Sequence, residues 1–280
     1  MANNYGIDQH KLHLHPRRVA DWLEGKAIAP IYIEVSPSGG CNHNCKFCGM
    51  DFARHPERRI LTEPYLQRVR EMGEAGVKSI MYCGEGEPFL HNQMAQIAVA
   101  TKKAGIDVSF TTNGVLLKPE IAEEVLPVTS WIKISCSAAT PETYSKVHGT
   151  KLDDFGKVMS NLAEAAKIRA RNKYTCTLGM QLLLLPENEK EAVSLATMAR
   201  DSGADYLVIK PYSQHPKSNT TEYAGIQYED YSELAAALAA VQTKGFSVIF
   251  RHEALNRQNT GAKSYDRCLA SPFGGWYVDS

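Results

Sequence analysis

A dominant charge is the first thing this chain lacks. Its 280 residues carry 31 lysines and arginines against 31 aspartates and glutamates, so no global field draws it to nucleic acid or to an anionic membrane. It also lacks long apolar runs, none approaching the ~20 residues that a bilayer-spanning helix needs. The opening residues, Met1-Ala-Asn-Asn-Tyr-Gly-Ile-Asp8, have neither the basic start nor the apolar stretch of a secretory signal. A disulfide framework is missing too. Seven cysteines are an odd set, three of them clustered at Cys41, Cys45 and Cys48 and four scattered, which is the usage of a reducing compartment. These absences lead us to expect a soluble, cytoplasmic protein with no nucleic-acid or membrane partner.

What is present is an alternation of short apolar runs with helical patterns. A leader over residues 1–29 holds one helix near 17–24. Strands are expected at 31–36, 79–83, 107–111, 130–135, 174–185, 206–209 and 246–250. Between them lie helices at 62–75, 93–104, 119–125, 153–170, 190–202 and 231–243, with a further helix start at Thr140-Pro141. Thr62 is the expected N-cap of its helix and Gly76 closes it, while Gly105 and Gly203 close two others. Strands separated by helices imply parallel pairing through right-handed crossovers. Periodicity does not decide between an open sheet and a barrel, but in both the ligands gather in loops at the C-terminal ends of the strands. The chemically informative segments fall there, after successive strands: the cysteine loop, Gly84–Pro88, Thr112–Gly114, Ser135–Ser137, 186–188 and 210–215.

The stretch Cys41-Asn-His43-Asn-Cys45-Lys-Phe47-Cys48 is the one the others serve. Three thiols in eight residues suit zinc or an iron–sulfur cluster. A closed zinc site needs a fourth ligand, and His43 is the only candidate inside the loop, awkwardly close to Cys45. A cluster on three cysteines instead leaves one iron open to a ligand. The spacing favours the cluster and leaves a non-catalytic structural zinc module as the alternative. Gly39 and Gly40, just before the loop, allow backbone conformations that a tight wrap requires.

Cys-x3-Cys-x2-Cys with Phe47 before the last cysteine resembles the signature of the radical S-adenosylmethionine (radical SAM) superfamily. Gly84-Glu85-Gly86-Glu87-Pro88 is similar to that family's Gly-Gly-Glu-Pro element, with Glu85 in place of a glycine. The resemblance covers roughly residues 30–250. It implies a partial (β/α)6 barrel, a [4Fe-4S] cluster on Cys41, Cys45 and Cys48, and S-adenosylmethionine (SAM) as cofactor. Phe47 would then pack near the adenine, and Glu87 would accept a hydrogen bond from the SAM ammonium. Gly84 and Gly86 would let the backbone come close, and Ser135 and Ser137 would lie near the ribose. The implied activity is reductive cleavage of SAM to a 5′-deoxyadenosyl radical, with a one-electron donor such as flavodoxin or ferredoxin. The expected substrate is a sugar or sugar nucleotide, with peptide maturation as the runner-up.

Plainer readings compete for several of these residues. Ser137 could simply cap the next helix, and Asn113 could be a turn residue of Asn-Gly. Cys83, Cys136 and Cys176 are expected to pack as small hydrophobes. His10, His13, His15 and His91 are expected to be exposed or capping. The run Lys210-Pro-Tyr212-Ser-Gln214-His215-Pro-Lys217 reads equally as a surface loop or as a holder of a polar or phosphorylated substrate, with Lys210 the contact to substrate or SAM carboxylate. The tail from Tyr265 through Cys268 to Ser280 resembles the start of an auxiliary-cluster (SPASM or twitch) extension, so 251–280 is expected to be a truncated extension whose last residues are a strand cut off mid-hairpin.

Overall fold

The computed structural model describes residues 11–228, 231–251 and 268–280. His10, the start of the leader and residues 252–267 of the expected extension lie outside them. Eight strands form one wholly parallel sheet: β1 (Tyr32–Val35), β2 (Ser79–Tyr82), β3 (Asp107–Thr112), β4 (Thr129–Ser135), β5 (Thr177–Leu184), β6 (Tyr206–Pro211), β7 (Ser247–Phe250) and β8 (Trp276–Val278). Their order is β7-β6-β5-β4-β3-β2-β1-β8, with β7 and β8 at the edges among the described residues. The helices are α1 (Pro16–Leu23), α2 (Thr62–Glu74), α3 (Met94–Lys103), α4 (Pro119–Val125), α5 (Pro141–His148), α6 (Asp153–Asn172), α7 (Ala192–Asp201) and α8 (Ser232–Val241). None is long and apolar enough to cross a membrane among the described residues.

Because strands β1 to β7 follow one another in sequence order, right-handed crossovers place every intervening helix on the same face. That face is dry: Ile33, Val35, Ile80, Tyr82, Val108, Phe110, Ile132, Ile134, Leu178, Met180, Leu182, Leu207 and Ile209 are buried against the helices. Alternate residues point to the opposite, inner face, which carries Glu34, Thr111, Lys133, Ser135, Gln181 and Lys210. This is the partial α/β barrel that the family resemblance implied.

One local expectation changes and another holds. Thr62 is not an N-cap: Leu61 holds that position, and Thr62 Oγ1 donates to Gln93 Oε1 at 2.7 Å, tying α2 to the start of α3. Thr140 does cap α5, accepting from Thr143 N. The strand expected at the tail forms. Residues 276–278 add in parallel to β1, with Ser36 N donating to Val278 O at 2.8 Å and Ile31 N to Phe273 O at 2.7 Å, which satisfies an edge that would otherwise stay unpaired.

Asn188 fixes two of the loops at the strand ends. It is fully buried. Its amide nitrogen donates to Ser137 O (2.8 Å) and Leu183 O (2.9 Å), and its carbonyl accepts from Leu185 N (2.9 Å). Asn188→Ala would orphan these backbone groups in a dry setting, so a loss of about 3 kcal/mol is expected. Urea unfolding should show it as a lower midpoint with an unchanged slope.

Candidate active site

The cysteine loop leaves β1 and is held from two sides. Asn44 N and Lys46 N donate to His148 O and Val147 O at the end of α5 (3.2 and 3.0 Å). From the other side the segment after β6 closes on Asp51. Ser218 Oγ and the amides of Asn219 and Thr220 donate to its carboxylate at 2.9, 2.8 and 2.6 Å, and Ser218 Oγ also donates to Cys48 O. Burial alone would raise the Asp51 pKa, but these donors hold it below its ordinary value. Tyr212 donates to Gln214 (2.7 Å), and His215 stacks on Phe52 with ring centres 5.1 Å apart. The polar run after Lys210 is therefore a brace on the cysteine loop, not a free surface loop.

The acidic loop lies against the same structure. Glu87 N donates to Gly40 O at 2.9 Å. The approach needs Gly86, because a Cβ there would fall inside contact distance of the Gly40 and Ser38 carbonyl oxygens. Gly84, at φ +120°, packs against Ser36 and the Tyr277 hydroxyl, and that hydroxyl accepts from Glu85 N at 3.1 Å. Of the two glycines before the cysteines, Gly39 is the demanding one, its Cβ position lying 2.7 Å from Pro56 O. Gly40 has ordinary room, and neither takes a positive φ.

Glu87 is buried at the centre. Its carboxylate accepts from Thr112 Oγ1 (2.6 Å), Asn113 N (2.8 Å) and Phe89 N (3.2 Å). Burial raises its pKa, against the pull of these three donors. Asn113 is a turn residue, accepting from Val115 N, and it also faces the site, donating to Asn42 Oδ1 at 2.7 Å.

One cleft of about 170 Å³ collects Cys41, Cys45, Cys48, Phe47, Gly84, Gly86, Glu87 and Ser135 from the expected site. Ser137 does not line it: its amide donates to His148 Nε2, its hydroxyl accepts from Leu183 N and its carbonyl accepts from Asn188. Lys210 does not line it either. Cys83, expected in the core, is buried yet reaches the cleft beside Glu34 (Sγ to Oε2 3.9 Å), whereas Cys136 and Cys176 are core residues as expected. His91 is buried and caps locally, accepting from Gln93 N, with its Nε2 2.9 Å from Ile60 O.

The lining residues include three clustered thiols and two carboxylates but no lysine or arginine. Burial raises the Cys41 thiol to about 11 and Cys45 well above its usual value, and neighbouring thiols push both further. Glu85 is buried with Oε1 lacking a hydrogen-bond partner. Such a donor set suits a cationic occupant, which would draw the thiols to thiolates. The spacing also discriminates between occupants. Zinc with 2.3 Å bonds brings sulfurs to about 3.8 Å from one another. Among the described residues the only set with ligand atoms within 4.8 Å is His43, Cys45 and His148, which omits Cys41 and Cys48. Three thiols spread wider than one ion can reach fit a cluster.

His43 and His148 complete the wall. His43 is buried, brought to about 4 by burial against the opposing effect of Asp154. His148, also buried, places Nδ1 3.4 Å from Cys45 Sγ. Sequence reasoning missed His148 and Asp51, whose partners lie 103 and about 168 residues away.

Parallel strands, a three-cysteine loop after the first and an acidic glycine loop after the second define the class. Residues 35–199 match the Radical SAM superfamily, and the chain belongs to it. It is therefore an enzyme class that uses a [4Fe-4S] cluster and SAM. Among curated proteins it is 29% identical over 195 residues to a probable GTP 3′,8-cyclase of Sulfurisphaera tokodaii, covering 68% of this chain and 59% of that protein. It thus spans less than two thirds of that relative. The fold is shared with Streptococcus suis SuiB bound to S-adenosylmethionine (TM-score 0.67, 15% identity, 96% of this chain and 63% of that one). The form of SuiB bound to the precursor peptide SuiA superposes with a TM-score of 0.66 at 15% identity, over 100% of this chain and 64% of that one.

The loop contact yields a paired prediction. Gly86→Ala should sharply lower iron and sulfide per chain after anaerobic reconstitution, whereas Gly40→Ala, with no atom closer than 3.7 Å to the new Cβ, should leave both near wild type.

Proposed function

We propose that this chain abstracts hydrogen from a carbon of a polar substrate of the sugar or sugar-nucleotide class. The observation that carries this reading is the meeting of Cys41, Cys45, Cys48 and Glu87 in one cleft at the C-terminal ends of the first strands. When bound, the cluster and SAM supply the reductive cleavage that yields a 5′-deoxyadenosyl radical. Cys41, Cys45 and Cys48 would hold the cluster. Glu87, already oriented by Thr112 and Asn113, accepts from the SAM ammonium. Phe47, fixed edge-on to His148 at 5.0 Å, offers a flat apolar face to the adenine, and Ser135 offers its hydroxyl to the ribose. Gly84 and Gly86 keep the backbone close. A one-electron donor of the flavodoxin or ferredoxin kind supplies the reductant. The nucleotide named in the relatives' activity supports a sugar-nucleotide substrate over a peptide. The SuiB–SuiA likeness, which is one of fold, supports peptide modification as the second reading.

Anaerobic incubation of the reconstituted protein with SAM and a strong reductant should give 5′-deoxyadenosine, and the Cys41/Cys45/Cys48→Ala variant should give none. Glu87→Gln should keep full cluster content but weaken SAM binding about tenfold or more, the worth of a hydrogen bond to a charged group. Unchanged SAM affinity in that variant would refute the role of Glu87.

A further inference from the structure

The inner face is divided by charge. Its acidic groups, Glu34, Glu85 and Glu87, lie on or after β1 and β2. Its cations lie on the other side. Lys133 of β4 shares a face with Ser135, which lines the cleft, and pairs in register with Thr111, which also lines it. Lys210 of β6 pairs with Leu183 two residues beyond Gln181, the register partner of Ser135. Arg251 follows β7. Ile209 and Phe250 are register partners and both pack on the helical side, so the next residues, Lys210 and Arg251, fall on the inner side, Lys210 half-buried and Arg251 exposed. Arg251 N donates to Ile209 O at 3.1 Å, which keeps the two side by side.

Among the described residues none of the three cations has an ion-pair partner. Glu34, whose charge is felt at Lys133, accepts from the Tyr32 hydroxyl at 2.9 Å. Gln181 between the two lysines has a buried, unpartnered side-chain oxygen. Its amide can turn to present either atom. Lys133 and Lys210 are half-buried and Arg251 beside Lys210 is exposed, and cations held partly out of water without an ion pair are a cost that an anion lowers.

We propose that Lys133, Lys210 and Arg251 form a subsite for a phosphate group of the substrate. The proposal rests on the function proposed above and narrows its substrate to a phosphorylated one. Burial, then Lys133 and Arg251, bring Lys210 down to about 8, as expected of a cation among cations. The SAM carboxylate does not account for the group, because it shares a carbon with the ammonium at Glu87, and neither lysine lines that cleft.

The test titrates inorganic pyrophosphate calorimetrically into the reconstituted protein with SAM saturating. Wild type should bind it. Lys133→Met and Lys210→Met should each weaken binding at least tenfold, Lys210→Arg should retain it, and SAM affinity should hold throughout. Absent wild-type binding, or equal binding by all variants, overturns the subsite. Lost SAM affinity in the methionine variants also overturns it, assigning the cations to the SAM carboxylate instead. 5′-Deoxyadenosine formation without pyrophosphate reports separately on the radical chemistry, so failure of one reading is distinguishable from failure of the other.

A second inference comes from a different observation. His148 Nε2 receives the Ser137 backbone N–H at 2.9 Å, which makes it the acceptor nitrogen and leaves the ring proton on Nδ1, 3.4 Å from Cys45 Sγ. The geometry points to His148 as a positioning residue that donates to a cluster-ligating sulfur and so raises the cluster's reduction potential. Tyr144 stacks on the ring at 4.1 Å and Phe47 meets its edge, holding it in place. His148→Phe keeps an aromatic ring and removes the donor. Redox titration followed by electron paramagnetic resonance should give it a more negative midpoint potential at unchanged cluster content, with His148→Gln nearer to wild type. Equal potentials in loaded wild type and His148→Phe overturn the role, and so does a His148→Phe protein that folds normally but holds no cluster.

Discussion

The close backbone approach between the acidic loop and the start of the cysteine loop is the constraint on which the site depends. Gly86 passes so near the carbonyls of Ser38 and Gly40 that no side chain fits, and Glu87 N bonds directly to Gly40 O. The cysteine loop has no regular structure of its own, and the acidic loop only the 3-10 turn Pro88–Leu90 that Glu87 caps. The contact sets where Glu87 stands relative to the three thiols, and the sheet makes the contact possible because β1 and β2 are parallel neighbours. The remaining braces, from Asp51, from the end of α5 and from β8, hold the two loops together from outside.

The charge layout follows the same division. Thiols and carboxylates gather over β1 and β2, and lysines and arginine over β4 to β7. A parallel strand offers every second side chain to the inner face, so this separation is set by a few positions: Glu34, Lys133 and Lys210. A zwitterionic cofactor on one side and an anionic substrate on the other would each meet the opposite charge. Reaction at a carbon between them needs no further charged group in the cleft.

Much of this was legible in the sequence because it is local. Strand order, crossover handedness and the loops that bear ligands follow from alternation and turn residues, and both cofactor motifs are contiguous. What was not legible depends on contacts between distant segments. Asp51 carries no sign that residues 218–220 will donate to it. Ser135 and Ser137 both sit near the end of β4, and only the fold shows that one opens into the cleft while the other is locked by His148, Leu183 and Asn188. Cys83 was read as core because it ends an apolar run, yet it reaches the site. The parallel pairing of residues 276–278 with β1 could not be told from a hairpin strand, since both are short apolar runs after glycine.

The account stands on one iron of a three-cysteine cluster being open to SAM. The most direct measurement is the electron paramagnetic resonance spectrum of the reduced, reconstituted protein with and without SAM. The account predicts a [4Fe-4S]⁺ signal whose g values shift when SAM is added. A spectrum of the same cluster that SAM leaves unchanged would contradict it.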